Sequence, residues 1–134
     1  MQGVLVDSNV ILDVFLDDQE WAEWAVRTLE KYAETGMLYI NPVIYCEVSI
    51  AFKRIEELES ALGRGGFQLI DIPKEALFLA GKVFQKYKRN KGTRNTPLPD
   101  SFIGAHAAVL GLDLATRDIG RYRTYFPSVT LISP

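Results

Sequence analysis

Four carboxylates in this chain stand where chemistry can be done: Asp7, Glu47, Asp100 and Asp118. Asp7 ends the apolar run Gly3–Val6 and is followed by Ser8 and Asn9, whose short side chains suit the start of a helix. With two capping residues beside it, Asp7 is free for a ligand at the carboxyl end of a strand, the edge where open parallel sheets bind. Glu47 shares a helical face with Val43, Ile44 and Ala51, and an acid among apolar positions is costly to bury unless it is paired or bound to a metal. Asp100 opens the apolar helix after Leu98-Pro99, where the helix dipole alone would justify an acid. Asp118 repeats the setting of Asp7: apolar strand, carboxylate, helix. In a doubly wound order, strands one and four are neighbours at the switch point. Asp7 and Asp118 then face each other, and Asp100 enters from the helix leading into strand four. Carboxylates about 5 Å apart repel by roughly 1–3 kcal/mol per pair, which a marginally stable domain tolerates only if cations or protons neutralise them. Oxygen-only ligands select Mg²⁺ or Mn²⁺. One histidine, one cysteine and no Cys-x-x-Cys or His-Glu-x-x-His pattern leave little for a transition-metal site.

Five short apolar runs must position these acids: Gly3–Val6, Met37–Ile40, Phe67–Ile72, Asp113–Ala115 and Val129–Ile132. Their alternation with helical stretches predicts βαβ crossovers and a parallel sheet, and their continuous apolar character predicts burial on both faces. Helices are expected over Asn9–Leu16, Glu20–Glu34, Val43–Phe52, Ile55–Leu62, Lys74–Lys88 and Asp100–Leu110, with proline at the first turn after Asn41 and glycine stops at Gly36 and Gly111. The polar, aperiodic stretch from Arg89 to Thr96 reads as a loop.

Length and composition point to one domain over residues 1–134 with a sizeable core, since 48% of residues are apolar. The single cysteine excludes an internal disulfide framework and fits a reducing cytosol. No segment has the length of a membrane span or the pattern of a signal peptide, so a cytoplasmic protein is expected. The net charge of −2 requires that any nucleic-acid contact come from local positive charge.

Asp7-Ser8-Asn9-Val10-Ile11-Leu12, Glu47 within Tyr45-Cys46-Glu47-Val48, the stretch Pro99-Asp100-Ser101-Phe102-Ile103-Gly104-Ala105-His106-Ala107, and Ala115-Thr116-Arg117-Asp118 resemble, in order and over essentially the whole chain, the motifs of PIN domains. The likeness is to the VapC-type toxins of bacterial and archaeal toxin–antitoxin pairs. It implies an α/β PIN-like fold, a five-stranded parallel sheet flanked by helices on both faces, and a Mg²⁺- or Mn²⁺-dependent endoribonuclease. By motif, the catalytic and metal-binding acids fall on Asp7, Glu47, Asp100 and Asp118, with Asp7 and Asp100 as direct ligands. Ser8, Asn9 and Thr116 fall where they would orient those carboxylates or their waters. The resemblance also implies a homodimer and a cognate antitoxin protein.

Two other readings have different consequences. A PIN fold that binds RNA or protein without turnover would need no intact acid quartet. A haloacid-dehalogenase-type phosphotransferase needs a second aspartate where Asn9 stands.

Between Lys86 and Arg94 five of nine residues are basic and none is acidic; this run, with Lys88, Arg89, Lys91 and Arg94, leads into Asp100 and is expected to contact RNA phosphates. Trp21, Trp24, Tyr32, Tyr45, Phe52 and Leu58 exceed what a small sheet can cover, so part of this surface is expected to form an apolar groove for an antitoxin segment, with a basic side chain reaching the carboxylates. His106 reads as a packed or interface histidine, Asp13 as a solvated acid, and Cys46 as a small buried residue without a histidine partner.

Overall fold

In a computed structural model describing residues 2–93 and 98–134, five strands form one sheet in the order β3-β2-β1-β4-β5, and every pairing is parallel. The strands are β1 (Gly3–Val6), β2 (Met37–Ile40), β3 (Phe67–Leu69), β4 (Asp113–Ala115) and β5 (Leu131–Ile132). The order reverses between β1 and β4, which the sequence predicted to be neighbours. Their register sets Val4 opposite Asp113, Leu5 opposite Leu114 and Val6 opposite Ala115, and the Asp7 amide donates to the Ala115 carbonyl at 2.9 Å. Asp7 and Thr116 therefore leave the sheet side by side.

The central strands are buried as their composition demands: Leu5, Val6, Ile40 and Leu114 are at most 1% exposed. The outer runs are trimmed. The stretch Phe67–Ile72 is strand only to Leu69, with Gln68 and Leu69 exposed, because β3 is an edge. The stretch Val129–Ile132 is strand only over its last two residues, on the opposite edge.

Among the described residues seven helices connect the strands: α1 (Ser8–Phe15), α2 (Ala22–Ala33), α3 (Pro42–Ser49), α4 (Ile55–Arg64), α5 (Lys74–Arg89), α6 (Pro99–Leu110) and α7 (Ile119–Arg123). The α3 start is as expected, with Pro42 in the first turn and Asn41 Oδ1 accepting from the Ile44 amide at 2.9 Å. Gly111 ends α6 in the left-handed region, at φ 66°. The α2 start falls two residues later than expected, because Asp18 Oδ1 holds the amides of Glu20 and Trp21 at 2.9 Å each in the preceding turn.

The opening of α1 overturns the capping argument. The cap is Asp7 itself: its backbone is extended, and its Oδ1 accepts from the Ser8 amide at 2.8 Å. Ser8 and Asn9 are already helical and spend their side chains elsewhere. Leu58 is also misplaced by the sequence reading. At 2% exposed it belongs to the core, whereas Trp21, Trp24, Tyr32, Tyr45 and Phe52 are half-buried. Cys46 is exposed, not buried: α3 turns Ile44 and Val48 inward and Cys46 out. No helix among the described residues is long and apolar enough to cross a membrane.

Candidate active site

The carboxyl edge of β1 and β4 gathers Asp7, Asn9, Thr116 and Asp118, and α3, α6 and α7 close on it. Asp7 is 4% exposed. Its Oδ2 accepts from the Thr116 hydroxyl at 2.8 Å, from the Tyr122 hydroxyl at 2.8 Å and from Asn9 Nδ2 at 3.4 Å. These donors are neutral, and among the described residues no basic side chain pairs with Asp7. Burial therefore pushes its carboxyl above the ordinary value of 3.8, against the lowering effect of the Thr116, Tyr122 and Ser8 hydrogen bonds; the charge of Asp118 adds to the rise.

Asn9 bridges the two aspartates. The Arg117 amide donates to Asn9 Oδ1 at 3.2 Å, which orients the carboxamide. The Nδ2 group then faces Asp7 Oδ2 and Asp118 Oδ2 at 3.4 Å each, and Thr116 Oγ1 at 3.3 Å. Thr116, fully buried, donates to Asp7 and accepts from the Asp118 amide at 3.1 Å, so one hydroxyl ties the end of β4 to the end of β1.

Glu47 enters from α3 and accepts from the Ser8 hydroxyl at 3.0 Å. Its carboxyl is raised from 4.5, chiefly by burial, with the charges of Asp7 and Asp100 adding and Arg121 opposing. All four predicted acids thus share one field. They are not a closed cage, however: among the described residues no three acidic, histidine or cysteine groups are set close enough to hold a metal ion. The donor chemistry still fits a hard cation that keeps part of its water shell. Among the described residues Asp7 Oδ1 has one hydrogen-bond partner, the Ser8 amide, which leaves one of its two lone-pair sites.

Three participants escaped the sequence analysis. Tyr122, 1% exposed on α7, holds Asp7; burial and the Asp7 charge raise its phenol far above the ordinary 10.0, so it acts as a fixed donor. Arg121 lies with its Nε 3.6 Å from Asp118 Oδ2 and is largely exposed. Arg117 pairs with Asp13 at 2.6 and 3.1 Å, its guanidinium lying 5.4 Å from the centre of the Trp21 ring. Asp13, expected to be solvated, is 4% exposed: a residue two turns along α1 from Asp7 faces the same β4–α7 loop. Only the spacing of an acid and an arginine in neighbouring motifs could have hinted at this.

His106 is packed, as expected. It is fully buried, with its Nδ1 3.1 Å from Asn41 Nδ2, and burial lowers its pKa. Lys88, Arg89 and Lys91 are exposed at and just beyond the end of α5. Arg94 lies outside the described residues.

The PIN domain family matches residues 4–127 of this chain. No curated protein matches its sequence. Among solved structures, a chain of VapBC2 from Rickettsia felis, bound to a DNA fragment from its promoter, superposes with a TM-score of 0.76 at 17% identity, over 100% of this chain and 99% of that one. A chain of a toxin–antitoxin complex from Klebsiella pneumoniae gives 0.71 at 24% identity, over 98% of each. A chain of FitAcB from Neisseria gonorrhoeae gives 0.71 at 21% identity, over 98% of this chain and 97% of that one. At these identities the likeness is one of fold.

Proposed function

The chain belongs to the PIN domain family, and from that premise and the geometry of the acidic edge we propose that it is a Mg²⁺- or Mn²⁺-dependent endoribonuclease, the toxin of a toxin–antitoxin pair. The observation that carries the reading is Asp7: a carboxylate 4% exposed, held by four neutral donors and flanked by Asp118 and Glu47, at the switch point of a parallel sheet. A buried carboxylate that, like Asp7, has no basic partner of its own among the described residues favours an external cation.

In this reading Asp7 and Asp100 hold the cation, Glu47 and Asp118 complete its surroundings directly or through water, and Ser8, Asn9, Thr116 and Tyr122 fix the carboxylates. A bound divalent cation would supply charge neutralisation at the scissile phosphate and a more acidic water. Glu47, with its carboxyl raised by burial, is the group suited to accept a proton from the attacking water. Arg121, exposed beside Asp118, is placed to meet a phosphate oxygen, and Lys88, Arg89 and Lys91 extend positive charge away from the acids.

The toxin–antitoxin half of the proposal is supported by the complexes in which chains of this fold occur. A cavity of about 160 Å³ bounded by Tyr45, Phe52 and Ile55, with Leu58 beneath it and Lys53 and Arg54 also in its lining, is proposed to receive an antitoxin segment, and the chain is proposed to be a homodimer. The decisive assay incubates the purified protein with single-stranded RNA in Mn²⁺ or in chelator. Internal cleavage only with Mn²⁺ is expected; RNA binding without cleavage under both conditions would establish the non-catalytic binding module instead.

A further inference from the structure

A second recess adjoins the acids at Asp100. Residues from α5, α6 and α7 enclose a cavity of about 160 Å³ whose walls are Phe84, Tyr87, Leu98 and Tyr125 and whose margin carries Asp100 and Arg121. We propose that this recess receives one nucleobase of the RNA, next to the phosphate that is cut. The inference rests on the nuclease reading above and adds to it a subsite.

Size, walls and position support the assignment. A closed apolar cavity of roughly 150 Å³ accommodates a single benzene ring, so this volume suits one planar heterocycle. The walls are aromatic, and Phe84 is itself stacked on Tyr87, with centroids 6.0 Å apart and planes 27° from parallel, so its ring is held in place. Lys86 Nζ lies 6.0 Å from the centre of the Tyr125 ring, one wall of the recess. Aromatic faces of this kind accept any base by stacking. Position supplies the rest: Asp100 belongs both to the recess and to the acid group, so a phosphate brought to the acids presents its neighbouring nucleoside at the opening. Arg121 spans the same two places, with one contact to Asp118 and a share in the lining.

The test uses a short single-stranded RNA that the wild-type protein cuts at one site, and a series in which each base near that site is replaced by an abasic residue. One abasic position is expected to lower kcat/KM by about tenfold to a hundredfold, the range of base–aromatic stacking. In Phe84→Ala, and separately in Tyr125→Ala, intact RNA is expected to be cut about as poorly as the abasic RNA, and the abasic change should cost little more. The Mn²⁺-induced rise in melting temperature should persist in both variants, which identifies them as folded. If the wild type cuts RNA but no abasic position matters, or if the abasic penalty is as large in both variants as in the wild type, the recess is not a base subsite and the nuclease reading stands. If the wild type cuts no RNA at all, both fall together.

Discussion

Two aspartates on one short helix, Asp7 capping α1 and Asp13 near its end, are equally inaccessible at 4% exposed, yet the fold treats them in opposite ways. Asp13 receives a guanidinium in a two-bonded pair with Arg117, which in turn lies over Trp21. Among the described residues Asp7 receives only hydroxyls, an amide and a carboxamide. The same cost of desolvation is thus met internally at one site and left open at the other. Burial of an acid does not by itself mark function; burial without a built-in counter-charge does. Both contacts converge on the loop Thr116–Asp118, so the structural pair also holds the frame of the chemical one.

Exchanging the roles of these sites tests the contrast most severely. Asp7→Asn, and likewise Asp100→Asn, is expected to lower Mn²⁺-dependent cleavage by on the order of 10³-fold, as removal of a central electrostatic group does, while the melting temperature holds or rises. Residual activity within tenfold of the wild type at matched Mn²⁺ would remove these residues from the proposed roles.

Arg117→Ala should do the reverse. It leaves Asp13, whose side chain is 5% exposed, as an unpaired buried charge, and about 3 kcal/mol of stability is expected to go in urea unfolding. Asp13→Asn should cost less, because the Arg117 side chain is 29% exposed and can reach water. An apolar replacement of both residues should recover most of the loss.

Cation binding provides the next comparison. Mn²⁺ at about one hundred times its dissociation constant should stabilise the protein by roughly 2.7 kcal/mol. The Asp7→Asn/Asp100→Asn variant should lose this response, and Asp13→Asn should keep it. The pH dependence has a definite sign. The Asp7 and Glu47 carboxyls are raised above 3.8 and 4.5 in the folded protein, mainly by burial, so in the window above those values the folded state holds more protons than the unfolded one. Without metal, stability should therefore fall as pH rises through that window, and the loss should shrink in Asp7→Asn. The gain from Mn²⁺ should grow over the same range, because binding displaces those protons. A stability profile that rises through the window would contradict the assignment.

Smaller effects separate the supporting residues. Tyr122→Phe removes one donor from Asp7 and should raise the Mn²⁺ concentration for half-maximal cleavage by about tenfold, the lower end for a residue that orients a metal ligand. Arg89→Ala, at the exposed end of α5, should leave cleavage chemistry alone and reduce the slope of log affinity against log salt by about one. An unchanged slope would make Arg89 an ordinary solvated charge.

Much of the acidic edge was legible because local chemistry and strand order constrain it together. Apolar runs followed at once by Asp7 and three residues on by Asp118 marked two strand ends, and the adjacency of β1 and β4 brought those ends together. The errors have one origin. Helical periodicity tells which residues share a face, but not what is packed against that face. Asp13 therefore read as solvated although Arg117 covers it, Cys46 read as buried although α3 turns it outward, and Leu58 read as part of an open groove although it lies beneath one.

The sequence by itself determined the parallel sheet, the approximate helices and the family likeness, and singled out four candidate acids, because these depend on residue type, local order and spacing along one chain. Only the tertiary structure decided that Asp7 is its own helix cap, that Asn9 stands between two carboxylates, that Tyr122 reaches Asp7 from 115 residues away, and that Asp100 is shared with an aromatic recess. The physical reason is that a hydrogen bond or an ion pair depends on distances of about 3 Å between side chains, and the packing of distant helices on a common sheet edge sets those distances.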